Sequence, residues 1–153
     1  MKKTKQIIIG FIGDHNSGKA TAANLLKKKG FYKISINKKV EEFANHLFQK
    51  SELDNNRFQI LNNVRKRGVM VNKEYWLNLA LISVPDDKNL IVFDDLSLDE
   101  ASNKKIKVYQ IYRPNVSTVK LEQVETIIND GSLNDFTDKI EALYKSLLKN
   151  NPN

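Results

Sequence analysis

Residues 6–26, QIIIGFIGDHNSGKATAANLL, constrain this chain more than any other stretch. Three consecutive isoleucines open an apolar run. The chain then turns through Gly13-Asp14-His15-Asn16-Ser17-Gly18-Lys19 and continues as Ala20-Thr21-Ala22-Ala23-Asn24-Leu25-Leu26, mostly helix-favouring. The reading is strand, glycine-bounded loop, helix. The loop matches G-x-x-x-x-G-K, in which backbone N–H groups converge on phosphate. Gly13 and Gly18 keep side chains out of that approach. Asp14, His15, Asn16 and Ser17 lend their backbone, with His15 a spacer. The helix start adds unpaired N–H groups and the positive end of its dipole. Lys19 brings a mobile point charge suited to β/γ-phosphates.

One position departs from the full pattern. Ser or Thr should follow the lysine and hold Mg²⁺; here Ala20 follows, with a hydroxyl one step later at Thr21. A G-K-x-[ST] ending resembles the loops of several nucleotide and nucleoside-phosphate kinase families. Alanine cannot ligate a metal, so Mg²⁺ is expected to rest on phosphates, waters and a carboxylate elsewhere. Thr21 lies about 100° further around the helix and is expected to meet a different phosphate oxygen.

A length of 153 residues fits one domain, 1–153. The chain has no cysteine, which rules out a disulfide framework or zinc–thiolate site and suits a reducing cytoplasm. No apolar run reaches the roughly 18 residues that span a bilayer, so no membrane partner is expected. The N-terminal MKKTKQIIIGFIGD imitates a signal peptide, but its apolar part is short and runs into the loop. The net charge of +7 comes largely from scattered lysines. Abundant Lys and Asn throughout suit biased coding better than a nucleic-acid surface. Arginine is scarce: Arg57, Arg65, Arg67 and Arg113. In a lysine-biased chain these positions are the better candidates for planar, bidentate recognition of phosphate or carboxylate.

Further along, Phe31–Ile36 has strand composition, and Asn37 is placed to cap a helix running to Lys50. That helix carries an apolar stripe at Val40, Phe43, Ala44, Leu47 and Phe48, with His46 on its solvated side. Residues 51–56 read as a polar break, and Arg57 to about Val64 as a short helix with Phe58 and Leu61 inward. Arg65-Lys66-Arg67-Gly68 reads as a basic turn, and Lys73–Ser83 as a helix with Trp76 in its core face. Leu90–Phe93, ended by Asp94-Asp95, suits a strand buried on both faces of a parallel sheet. Ile106–Tyr112 alternates and precedes Arg113-Pro114-Asn115. Val119–Glu125 reads as a short helix and Thr126–Ile128 as the last strand. Ser132 and Asp135 frame a capping box for a closing helix whose core face is Leu133, Phe136, Ile140, Leu143 and Leu147. Strands alternating with helices argue an α/β fold with a parallel sheet. Its ligand belongs at the carboxyl ends of the strands, which Asp14, Lys19, Asp94, Asp95 and Arg113 all follow.

The order of these pieces resembles the phage-type deoxynucleoside monophosphate kinases and their bacterial relatives, P-loop kinases related to dephospho-coenzyme A kinase. The resemblance rests on GDHNSGKAT, GFYKISINKKVEEFA, RFQIL, KEYWLNLAL, LIVFDD, VYQIYRP and IINDGSLNDFTDKIEAL, in that order. It implies a three-layer α/β/α domain with about five parallel strands and a short or absent lid. It implies an enzyme that transfers a phosphoryl group from ATP, with Mg²⁺, to a small-molecule nucleotide acceptor. By the same resemblance, Gly13 to Thr21 would hold the donor, with Lys19, Asp94 and Arg113 catalytic. Asp94 or Asp95 would act on the metal directly or through water. Arg113 would lie beside the donor's adenine or phosphates, and Arg57 would face the acceptor phosphate, with Arg65 and Arg67 as further cations. Leu96 stands where the family often has arginine, and only residues 113–125 are available for a lid. Two other readings therefore stay open: a kinase of dephospho-coenzyme A or another small alcohol, and a nucleotide-binding protein without catalysis. A homodimer is also open.

Overall fold

The computed structural model describes residues 5–151; the Lys2-Lys3 pair and the first part of the signal-like segment lie outside them. The chain forms two compact units, one made of residues up to Ile34 and from Pro85 onward, the other of Ser35–Val84 inserted between them in sequence.

The first unit is built on a five-stranded sheet. Its elements are β1 (Ile7–Ile12), α1 (Lys19–Lys28), β2 (Tyr32–Ile34), β3 (Leu90–Phe93), α5 (Leu98–Ala101), β4 (Lys107–Tyr112), β5 (Glu125–Ile128) and α6 (Leu133–Asn150). The strand order is β2-β3-β1-β4-β5, and every pairing is parallel. Ile7 and Ile9 of β1 are buried, and Ile8 partly so, because that strand is central, with β3 on one side and β4 on the other. Its alternate residues face different layers. Ile7, Ile9 and Phe11 join Val92, Tyr109 and Ile111 in a core closed by α1 through Leu26 and by α6 through Phe136 and Ile140. On the opposite face Gly10 leaves room for Leu96, whose side chain occupies the space a Cβ would need. Burying these apolar side chains, at about 25 cal/mol per Å², is the main force holding the layers together. The fold is thus an α/β domain with a wholly parallel five-stranded sheet, in line with a P-loop-like three-layer α/β/α architecture.

The second unit contains α2 (Ile36–Leu47), α3 (Lys50–Val71) and α4 (Tyr75–Ile82). The cap of α2 is Ser35, which accepts from the N–H of Lys38 at 3.3 Å, rather than Asn37. The polar stretch 51–56 is helical and begins α3; only Asn56 leaves helical geometry, as a kink. Arg65–Gly68 is not a turn but part of the same helix. Glycine there serves packing: an added Cβ would collide with the Trp76 indole. That indole is buried, donates through Nε1 to the Arg65 carbonyl at 2.9 Å, and meets Phe43 and Tyr75 edge-on. Phe58 is 79% exposed rather than inward.

Two further expectations change. Residues 119–124 form no helix, and Leu133 is exposed at the first turn of α6. Ser132 and Asp135 do form the capping box that starts α6. Among the described residues no helix is long and apolar enough to cross a membrane.

Candidate functional site

The chain passes from β1 to the edge of the sheet through β2, then crosses back to β4 on the other side of β1. The crevice beyond the carboxyl ends of β1, β3 and β4 is therefore the switch point of the sheet. The Gly13–Lys19 segment lies there, between β1 and α1.

Its conformation depends on both glycines. Gly18 sits at φ 114°, and an added Cβ would come within 2.7 Å of the Asn129 amide and 3.3 Å of the Phe136 ring. A Cβ on Gly13 would approach the Ile111 carbonyl to 2.6 Å and Ser17 Oγ to 2.8 Å. Asn16 takes a left-handed φ of 63°, which asparagine tolerates better than most residues. The N–H of Ser17 bonds the Asp14 carbonyl at 3.1 Å, closing the turn. The result is a tight arch at the start of α1, and a helix start is a place where backbone N–H groups can meet an anion.

Three neighbours brace the arch. Asn129, just past β5, donates from Nδ2 to the Ser17 carbonyl at 3.0 Å. Arg113, just past β4, donates from Nη1 to the Asn16 carbonyl at 3.4 Å. Asp14 Oδ2 accepts from the Thr118 N–H at 2.9 Å and its hydroxyl at 3.4 Å. Lys19 folds its ammonium back onto the Gly13 carbonyl. Ser17 Oγ is buried without a hydrogen-bond partner. Ala20 and Thr21 are exposed on the first turn of α1, and His15 is exposed on the arch.

The strand-end carboxylates form the second part. The Asp94 N–H bonds the Ile34 carbonyl at 3.2 Å, which fixes the backbone at the end of β3. Asp94 Oδ2 lies 3.6 Å from Lys33 Nζ, and that ammonium donates to Asn24 Oδ1 at 2.8 Å. Asp94 Oδ1 is buried without a hydrogen-bond partner. Burial foremost, and then the adjacent Asp95 carboxyl, raise the Asp94 pKa from 3.8 to about 6, against the pull of Lys33. Two neighbouring carboxyls with an unpartnered buried oxygen suit a hard cation. Among the described residues no cluster of three or more His, Cys, Asp or Glu side chains could hold one unaided. Phosphate oxygens and waters would have to complete the coordination shell.

The structure thus brings Asp14, Asn16 and Arg113 together, and sets Lys19 on the same arch. Arg57, Arg65 and Arg67 belong to the helical unit. There Arg57 pairs with Glu41, and Arg65 donates to Asn37 Oδ1. Arg67 lines a cavity of about 580 Å³ walled by Phe43, Leu47, Val64, Val71 and Trp76. Sequence reasoning missed Lys33, Thr118 and Asn129. Only Asn129, at a strand end, carried a positional hint.

The arch after the central strand and the parallel sheet around it define a P-loop-like α/β/α domain. Neither a protein-family model nor a curated protein matches the chain.

Proposed function

We propose that this protein is an ATP-dependent kinase that phosphorylates a small nucleotide acceptor, a (deoxy)nucleoside monophosphate. The observation that carries the reading is the Gly13–Lys19 arch at the switch point of a parallel sheet, with a buried carboxylate at the end of the adjacent strand. Both glycines are sterically required, and a lysine stands at the first position of the helix.

In this reading the backbone N–H groups of the arch and the start of α1 hold the donor's phosphates. Lys19 exchanges the Gly13 carbonyl for phosphate oxygens, which bear more negative charge. Arg113, already at the arch, adds a second cation on the donor side. Asp94, with Asp95 beside it, would hold Mg²⁺ directly or through a water; that ion would neutralise charge on the phosphates. Positioning and charge neutralisation supply most of the catalysis in phosphoryl transfer. Within the helical unit, Arg67 stands at a cavity whose aromatic lining suits a ring.

A coupled ADP-release assay across deoxynucleoside monophosphates tests the reading, with dephospho-coenzyme A in the same panel. Release that depends on a nucleoside monophosphate and is lost in Lys19→Ala supports it. Turnover with dephospho-coenzyme A alone would move the acceptor to the second class. One observation favours binding without catalysis: Leu96 is buried against Gly10, so its position offers no cation to the site. ATP binding with no turnover on any acceptor would establish that alternative.

A further inference from the structure

Gln110 is 3% exposed, in the middle of β4, at a register position between Ile12 of β1 and Thr126 of β5. It points to the face of the sheet that α1 and α6 do not cover, since Tyr109 and Ile111 take the other. A carboxamide buried in a strand must satisfy both ends. Gln110 does so on a single segment: Nε2 donates to the Val119 carbonyl at 2.7 Å, and Oε1 accepts from the Leu121 N–H at 2.8 Å. The side chain thus bonds the carbonyl of one residue and the N–H two residues on in a single stretch, as a neighbouring strand's backbone would.

The same stretch is tied at its other end. The Arg113 N–H donates to Ser117 Oγ at 2.8 Å, and the Ser117 N–H returns to the Arg113 carbonyl at 2.8 Å. Thr118 then bonds Asp14 on the arch, and Arg113 bonds Asn16. Residues 113–121 therefore form a strap. It is anchored by Gln110 beneath and bonded to the arch above.

We infer that Gln110 is a positioning residue for the nucleotide donor. By fixing Val119 and Leu121 it sets the strap in place, so that Arg113 and Thr118 stand at the arch before any ligand arrives. The segment where a lid would be sought is then a fixed wall of the donor site. Gln110 itself touches neither donor nor acceptor. This inference rests on the donor reading of the arch, but its structural half can be tested without any nucleotide.

The experiment uses the full chain as wild type, Gln110→Met and Gln110→Asn. Methionine keeps the length and removes both hydrogen bonds; asparagine keeps the chemistry but is one methylene too short to make both. The pair guards against one variant failing to fold. Amide hydrogen exchange without ligand is read first. The Thr118 and Leu121 amides should exchange at least tenfold faster in the folded variants, with β1 amides unchanged. Steady-state kinetics follow. KM for ATP should rise about tenfold, with kcat at saturating ATP held within about twofold, a split that general destabilisation would not produce. Unchanged exchange at Thr118 and Leu121 overturns the inference, and so does an unchanged KM for ATP in variants whose strap has loosened. If wild type neither binds nor turns over ATP, the kinase reading falls and the donor role of Gln110 falls with it. The exchange data would still decide whether Gln110 holds the strap.

Discussion

Lys33 on β2 and Asp94 at the end of β3 stand 3.6 Å apart, yet the carboxyl beside that ammonium titrates near 6 rather than 3.8. Desolvation wins over the ion pair: Asp94 is only 13% exposed, its second oxygen has no hydrogen-bond partner, and Asp95 adds like charge.

The sign of the stability effect follows. The folded carboxyl binds its proton more tightly than the unfolded one, so its contribution is full below about pH 4 and fades as pH rises through about 6. At neutral pH the ionised Asp94 costs the fold up to about 3 kcal/mol. Asp94→Asn should therefore raise the melting temperature at pH 7.5 and change it little at pH 4, as read by calorimetry. The same substitution should strongly reduce Mg²⁺-dependent turnover. Wild-type activity should climb with pH through about 6 as the carboxylate forms.

Gly18→Ala should be costly. The left-handed backbone alone costs an L side chain about 1–2 kcal/mol, and the Cβ would press on Asn129 and Phe136. A loss of about 2–4 kcal/mol in urea unfolding is expected. Nucleotide affinity should fall as the arch opens.

Gly68→Ala probes the helical unit. Alanine favours helix by about 1 kcal/mol over glycine, but here the methyl would drive into the Trp76 ring, an overpacking cost of about 1–3 kcal/mol. The expected outcome is net destabilisation. Trp76 is the one tryptophan of the chain, so a red-shifted emission would report its displacement directly.

The fold was legible wherever a pattern ran for several residues. The isoleucines of β1, the LIVF run of β3 and the capping box of α6 each carry their own period or cap. The misreadings have physical causes. Gly68 looks like a helix stop, but its missing Cβ is used to seat the Trp76 indole inside α3. Val119–Glu125 resembles a helix start, but Gln110 and Asp14 take up the backbone groups of Thr118, Val119 and Leu121. Within the site, Lys19 and Asp94 were visible because a strand delivers each to the same sheet edge. Lys33, Thr118 and Gln110 were not, since a lone polar residue in a strand or loop acquires its role only from a partner distant in sequence.

Thr21→Ala should weaken ATP binding by about 1–2 kcal/mol, the worth of a hydrogen bond to a charged phosphate. Ala20→Ser tests the neighbouring position. A hydroxyl there restores the usual metal-ligand type, and the apparent affinity for Mg²⁺ in the presence of ATP should rise. Both titrations are read by calorimetry.

The most direct measurement is a calorimetric titration of Mg²⁺-ATP into wild type and Lys19→Ala, both checked for an unchanged fold by circular dichroism. If the arch holds the donor's phosphates, wild type binds with one site per chain. Lys19→Ala should then lose about tenfold or more in affinity, as befits a lysine facing charged phosphate oxygens. Absence of binding to the wild type, or equal affinity for both proteins, would contradict the account.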